Sequence, residues 1–212
     1  PQLAPLSKHL ANYHMADMVA TEPLVFESPF NWKVLVDNFM EAYHHIGTHN
    51  DTLQPIFPAD RSHTPDNDGP WSALIMPAKE DAPELTPPGF PRAGALEGSE
   101  AHQLIAAVVY PFHLFAPGAD MLSWYQLLPT AHDHFTLRIY PCFAREAVEN
   151  DAHAATLETM REVLNTVHRQ DIGACEATWS GLHARSYEAG RLAPLEKPLW
   201  QFNRWWIERM GG

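Results

Sequence analysis

The chain has 212 residues, 45% of them hydrophobic, enough to bury the core of one domain. Its formal net charge of -12 leaves no basic stripe to neutralise a phosphate backbone, which excludes nucleic acid as a partner and disfavours an anionic membrane surface. The two cysteines, Cys142 and Cys175, are too few for a disulfide framework or a four-thiolate metal site.

The N-terminus, "PQLAPLSKHLANYHM", lacks the charged start and continuous apolar core of a signal peptide. The first strong periodic signal comes at Val34, Leu35, Asn38, Phe39 and Ala42, which recur at helical spacing and predict a helix running to Gly47. Residues 71–77, "WSALIMP", read as a strand. Residues 77–99 carry five prolines and three glycines and are expected to form a long surface loop that could serve as a lid. Strands are expected next over 104–115 and from Met121 to Pro129. The longest apolar stretch begins at Leu104 but is interrupted by Pro111 and His113 and is too short to span a bilayer. Over 135–143, Phe135, Leu137, Ile139, Pro141 and Phe143 alternate with Thr136, Arg138, Tyr140 and Cys142, the period of a half-buried strand. Short strands joined by turns such as "APGAD" and "TAHDH" favour antiparallel pairing. Helices are expected from about 151 to 185 and through "PLEKPLWQFNRWWIERM" near the end. A soluble, cytoplasmic protein is the expectation.

Residues 37–49 hold Asp37, Glu41, His44, His45 and His49, and such a cluster of titratable groups is costly to bury unless metal or proton chemistry uses it. Glu41 and His44 are three apart, so they share neighbouring surface on one helix. His49 is five beyond His44; on an unbroken helix the two rings would point well over 90° apart, at ~100° per residue. Gly47 can end the helix and bring His49 back over its last turn. The rival pair is His45 and His49, four apart as in helical zinc sites, and spacing alone does not choose between the pairs. The scattered histidines, His168 among them, are expected to be structural, with His113 less readily placed.

Leu157, Met160, Leu164 and Val167 form a buried stripe on the helix after 150, and the next position on that stripe is Asp171. A carboxylate in a core position needs a cation or a hydrogen-bond network. Two imidazoles and this carboxylate make the donor set of a facial-triad Fe(II) site. Arg169, or a backbone group at a helix irregularity near Gly173, is the alternative partner for Asp171.

"NWKVLVDNFMEAYHHIGTH" resembles the catalytic-domain signature of Rieske-type aromatic-ring-hydroxylating oxygenase alpha subunits: an acid, two residues, His, four residues, His. Glu41, His44 and His49 fit it in order. "RQDIGACEATWSGL" resembles the segment that carries the family's carboxylate ligand, here Asp171, and "GRLAPLEKPLWQFNRWW" its closing helix. The resemblance chooses His44 over His45. It implies an α+β fold of the helix-grip (START-like) type, an antiparallel sheet wrapped around a long C-terminal helix, with residues 1–212 as one mononuclear-iron catalytic domain.

The same resemblance implies mononuclear Fe(II) held by His44, His49 and Asp171. Glu41 would link His44 to a cluster histidine on the neighbouring subunit, with Asp37 and Asn38 supporting the site or lining the cavity. The activity implied is mono- or dioxygenation, or oxidative demethylation, of an aromatic or similar apolar molecule with dioxygen. Partners would be a Rieske cluster domain, reductase or ferredoxin donors, and two further copies in a homotrimer. Neither cysteine is followed by a histidine two or three positions on, so the [2Fe–2S] cluster of the family belongs to an N-terminal domain outside this chain. The competing expectations are a helix-grip module that binds an apolar ligand without redox chemistry, and a zinc hydrolase using His45, His49 and Glu41.

Overall fold

The computed structural model describes residues 1–92 and 94–211. Its centre is a seven-stranded antiparallel sheet in the order β1-β7-β6-β5-β4-β3, with β2 also paired to β7. The strands are β1 Met18–Ala20, β2 Leu24–Ser28, β3 Trp71–Pro77, β4 Gln103–Val109, β5 His113–Pro117, β6 Leu122–Ala131 and β7 His134–Ala144. The apolar run from Leu104 is therefore two strands, not one. It reverses at Tyr110–Phe112, and Val108 pairs with Leu114 across the hairpin. Pro111 supplies no N–H for a ladder and sets the turn, while the flanking aromatics disguise it as strand. The two short strands β1 and β2, absent from the sequence-based expectation, add to opposite ends of one edge of β7.

The alternation read over 135–143 places Phe135, Leu137 and Ile139 on the main core face, each fully buried. There they meet α2 (Trp32–Phe39), α4 (Ala154–Leu182) and α5 (Lys197–Met210) through Val34, Leu35, Leu164, Leu199 and Phe202, the short α3 (Arg145–Glu149) linking β7 to α4. The opposite face is covered by α1 (Ala4–Leu10) and Tyr13, which bury Trp71, Ile105, Phe115, Leu122 and Cys142. Cys142 was expected on a solvated face; the N-terminal segment covers it. Burial on both faces is why β3 reads as a continuous apolar run. Ser72 on β3 donates to the Gln201 side chain at 2.7 Å, and Gln201 donates to the Pro65 carbonyl at 3.0 Å, tying α5 to the sheet.

The proline-rich segment after β3 lacks long regular structure, as expected, but it is packed. Thr86 and Phe90 are buried, and the Phe90 ring lies edge-on to Phe143 at 6.1 Å. Gly94 passes so close to the Asn12 carbonyl that a Cβ there would stand 2.3 Å from it. Ala95 donates its N–H to that same carbonyl at 2.8 Å. Among the described residues no helix is long and apolar enough to cross a membrane.

Candidate metal centre and its cavity

Asn31 starts α2, its side chain accepting the Lys33 N–H at 3.0 Å. The helix stops at Phe39 rather than running to Gly47. The cause is Glu41. Its Oε2 accepts the N–H groups of Tyr43 and His44, the latter at 3.1 Å, and so caps a separate 3-10 turn at Tyr43–Ile46. Glu41 and His44 thus meet across a helix break, not along a helix face. Gly47 follows the turn with φ -103, a conformation open to any residue.

This break turns His44 toward His49, ring centroids 5.0 Å apart. From the other side, α4 carries Asp171 in at its buried stripe, 6% exposed. Ligand atoms of His44, His49 and Asp171 all lie within 4.8 Å of one another, the one group of three metal-capable side chains found among the described residues. The rival rings of His45 and His49 lie 5.4 Å apart, but among the described residues no third donor joins them. His45 donates Nδ1–H to the Phe57 carbonyl at 3.1 Å, and Glu41 is engaged with His44, so the set His45, His49 and Glu41 forms no site. Nor does Asp171 depend on Arg169 or on a helix irregularity, since α4 runs unbroken through Gly173.

Each of the three side chains is held from behind. His44 Nδ1 donates to Glu41 Oε1 at 2.5 Å. His49 Nδ1 donates to Gln170 Oε1 at 2.8 Å, and Thr52 Oγ1 donates to the same oxygen at 2.8 Å. His168 Nδ1 donates to Asp171 Oδ2 at 3.1 Å, and the Tyr125 hydroxyl donates to His168 Nε2 at 2.9 Å. On the inner side, Asp171 Oδ1 lies 2.9 Å from His49 Nε2 and 3.5 Å from His44 Nε2, and it accepts from Asn38 Nδ2 at 2.8 Å. Asn38 was anticipated as support. Gln170, Thr52 and Tyr125 are additions to the sequence-based expectation, and His168, expected to be structural, is a hydrogen-bonded core residue that holds Asp171. Its position was readable: it lies four after Leu164 and three before Asp171 on the buried stripe.

Burial pushes the His44 pKa down, but its bonds to Asp171 and Glu41 outweigh that and raise it to about 9. Burial also pushes Asp171 up, yet hydrogen bonds from His168, His44 and His49 hold it well below the ordinary carboxylate range. His45 is driven down to about 4, by burial first and then by His44. The centre is thus shaped for positive charge between two carboxylates. Asp37, by contrast, is not in the cavity wall: it shares a helix face with Lys33, its Oδ1 is buried and unpartnered, and burial raises its pKa to about 6.

Beside the three donors opens a cavity of about 520 Å³, walled by Phe39, Phe57, Met76, Leu104, Tyr125 and Leu164 among others. Leu85 of the proline-rich segment reaches its lining, so that segment covers the cavity in part, as a lid would.

Residues 15–212 match the sequence model of the ring hydroxylating alpha subunit (catalytic domain) family. Choline monooxygenase of the Arabidopsis thaliana chloroplast is 23% identical over 173 residues, 82% of this chain and 38% of that protein. Among solved structures, a quaternary ammonium Rieske monooxygenase aligns with a TM-score of 0.73 at 19% identity, over 98% of this chain and 55% of the other. Naphthalene 1,2-dioxygenase from Rhodococcus sp. aligns with a TM-score of 0.69 at 14% identity, over 98% of this chain and 60% of the other. The chain therefore spans little more than a third of the curated relative and just over half of these solved ones, and the α+β arrangement of antiparallel sheet and helices is theirs. On the match across nearly its whole length, the chain belongs to the ring hydroxylating alpha subunit family, as the catalytic domain.

Proposed function

We propose that residues 1–212 form the mononuclear-iron catalytic domain of a Rieske-type terminal oxygenase, in which His44, His49 and Asp171 hold Fe(II). One observation carries this. His49 has acceptors at both ring nitrogens, Gln170 Oε1 at 2.8 Å and Asp171 Oδ1 at 2.9 Å. A neutral imidazole has one N–H, so the inner contact needs a further cation or proton between His49 Nε2 and Asp171 Oδ1. His44 Nε2 faces the same oxygen. Three donors of the two-imidazole, one-carboxylate type converge on one point, and that set suits ferrous iron.

Bound there, iron would supply the activation of dioxygen. The chain's own part is placement. Glu41, Gln170 and His168 fix the orientation of the three ligands. The apolar wall holds an aromatic or similar apolar substrate against the centre and excludes water from it. Glu41 is also the proposed electron bridge to a cluster domain on a neighbouring copy in a trimer, fed by a reductase or ferredoxin. We read the sheet and the long α4 across its face as the helix-grip arrangement. Which outcome follows, mono- or dioxygenation or demethylation, depends on the substrate. Tested without a cluster domain, the 212-residue chain should give substoichiometric product.

The test is metal content. Protein prepared anaerobically with Fe(II) should hold one iron per chain, and Asp171→Ala should hold little. Stoichiometric zinc in place of iron, or iron retained by Asp171→Ala, would remove the proposal.

A further inference from the structure

The cavity wall contains a carboxylate that the metal centre does not use. Asp120 stands in the turn between β5 and β6, beside Ala119 and Met121, and is 7% exposed. Its Oδ2 is buried and has no hydrogen-bond partner. Arg92 acts on it only through space, and the Arg92 Nε is committed to Thr86 Oγ1 at 2.9 Å. Glu41, Asp51 and Asp171 also reach the cavity, and among the described lining residues no lysine or arginine does; the basic groups there are histidines gathered at the metal centre, of which His44 is held protonated.

This inventory discriminates between substrates. Among the described lining residues, a ligand carboxylate would find a cation only at the metal centre, where His44 is already bonded to Glu41 and faces Asp171, and it would meet acids elsewhere. A neutral apolar ligand would pack on the wall but leave Asp120 with its own backbone N–H as its one hydrogen bond and Oδ2 unmet, which is a costly state for a buried carboxylate. A ligand cation with an N–H to donate answers the charge and, on a turn of the Asp120 side chain that opens Oδ2 to the cavity, the unmet hydrogen bond. We propose that the cavity selects an apolar molecule bearing a protonated amine, whose ammonium meets Asp120 while its apolar body lies against Phe39, Tyr125 and Met76. Burial holds the Asp120 pKa up at about 6, so at neutral pH the group is mostly ionised, but at a cost that an arriving cation relieves. The inference names the substrate class of the site proposed above, but the binding step stands apart from whether iron is held there.

Four probes of one shape decide it by calorimetric titration of the 212-residue chain at pH 7.5, with EDTA present so that no amine–metal bond contributes. They are 1-naphthylmethylamine, its N,N,N-trimethyl derivative, 1-naphthalenemethanol and 1-naphthoate. The primary amine should bind about tenfold or more tighter than the alcohol, the scale of one charge-assisted hydrogen bond, and the carboxylate weakest of all. The trimethylated cation, lacking an N–H, should fall between amine and alcohol. Asp120→Asn should remove the preference for the amine while leaving alcohol affinity within about threefold, which also shows the variant is folded. Asp51→Asn should keep the preference. Equal affinity for amine and alcohol, a tighter trimethylated cation, tight naphthoate, or a preference that survives Asp120→Asn or vanishes in Asp51→Asn each overturns the proposal. Iron content of separate preparations made without EDTA distinguishes the two claims: iron bound without amine preference sinks this inference alone, and amine preference without iron sinks the metal centre alone.

Discussion

His168 donates Nδ1–H to Asp171 Oδ2 at 3.1 Å, so one oxygen of that carboxylate is already taken on the side away from His44 and His49. Oδ1 is left as the oxygen that faces the centre, and the Tyr125 hydroxyl behind His168 fixes the tautomer that makes this possible. Burial keeps Tyr125 a neutral phenol, able to donate. Removing His168 should let Asp171 rotate. His168→Ala should lower Fe(II) affinity by about 10–100-fold, the range for groups that orient a metal ligand, and Tyr125→Phe by less. Competition against a calibrated chelator measures both. Unchanged affinity in His168→Ala would show that packing alone orients Asp171.

The three proposed ligands should separate from their neighbour. His44→Ala and His49→Ala each remove a donor and should abolish stoichiometric iron binding. His45→Ala removes a ring whose Nδ1–H is spent on Phe57, and it should keep most of the metal. Iron analysis of the purified variants reads this directly, and iron lost from His45→Ala but kept by His44→Ala would reverse the assignment.

Glu41 has two tasks in the structure, holding the His44 ring through Oε1 and capping the 43–46 turn through Oε2. Glu41→Gln keeps one acceptor oxygen and places an NH2 at the other position, so one task is lost. Iron should be retained, because the three donors remain. Electron delivery from the cluster domain, measured as product formed per electron consumed in the assembled enzyme, should collapse. Ordinary coupling in that variant would remove Glu41 from the electron route.

Much of this was legible because the signals were periodic. The 135–143 alternation and the stripe ending at Asp171 each gave an element together with its buried face, and β3 was found at its true bounds. What escaped were features that a hydrophobic period does not report. The break after Phe39 depends on a carboxylate bonding to backbone ahead of it, and the sequence there still reads as helix. The hairpin at Tyr110–Phe112 hides within apolar residues because both its strands are buried. Gln170 is an ordinary polar residue until the fold brings His49 and Thr52 to it from more than a hundred positions away.

Asp37 offers a prediction about stability as a function of pH. In the folded chain burial lifts its pKa from 3.8 to about 6; Lys33 pulls it down, and Glu196 and Glu41 push it up by less. Between about pH 4 and pH 6 the native state therefore holds a proton that the unfolded chain has released. Stability from this group is greatest below the unfolded pKa, falls as pH rises through that window, and is constant above it. At pH 7 the ionised, half-buried carboxylate costs about 2 kcal/mol, taking ~1.36 kcal/mol per pKa unit and discounting for residual solvent. Asp37→Asn keeps the shape and removes the charge. It should stabilise the fold by about that amount at pH 7 and by almost nothing at pH 3.5, where both proteins are neutral at this position. Urea denaturation at the two pH values gives the answer. A variant less stable than wild type at pH 7 would mean that Asp37 is paired in solution, and an equal gain at both pH values would assign the effect to something other than its charge.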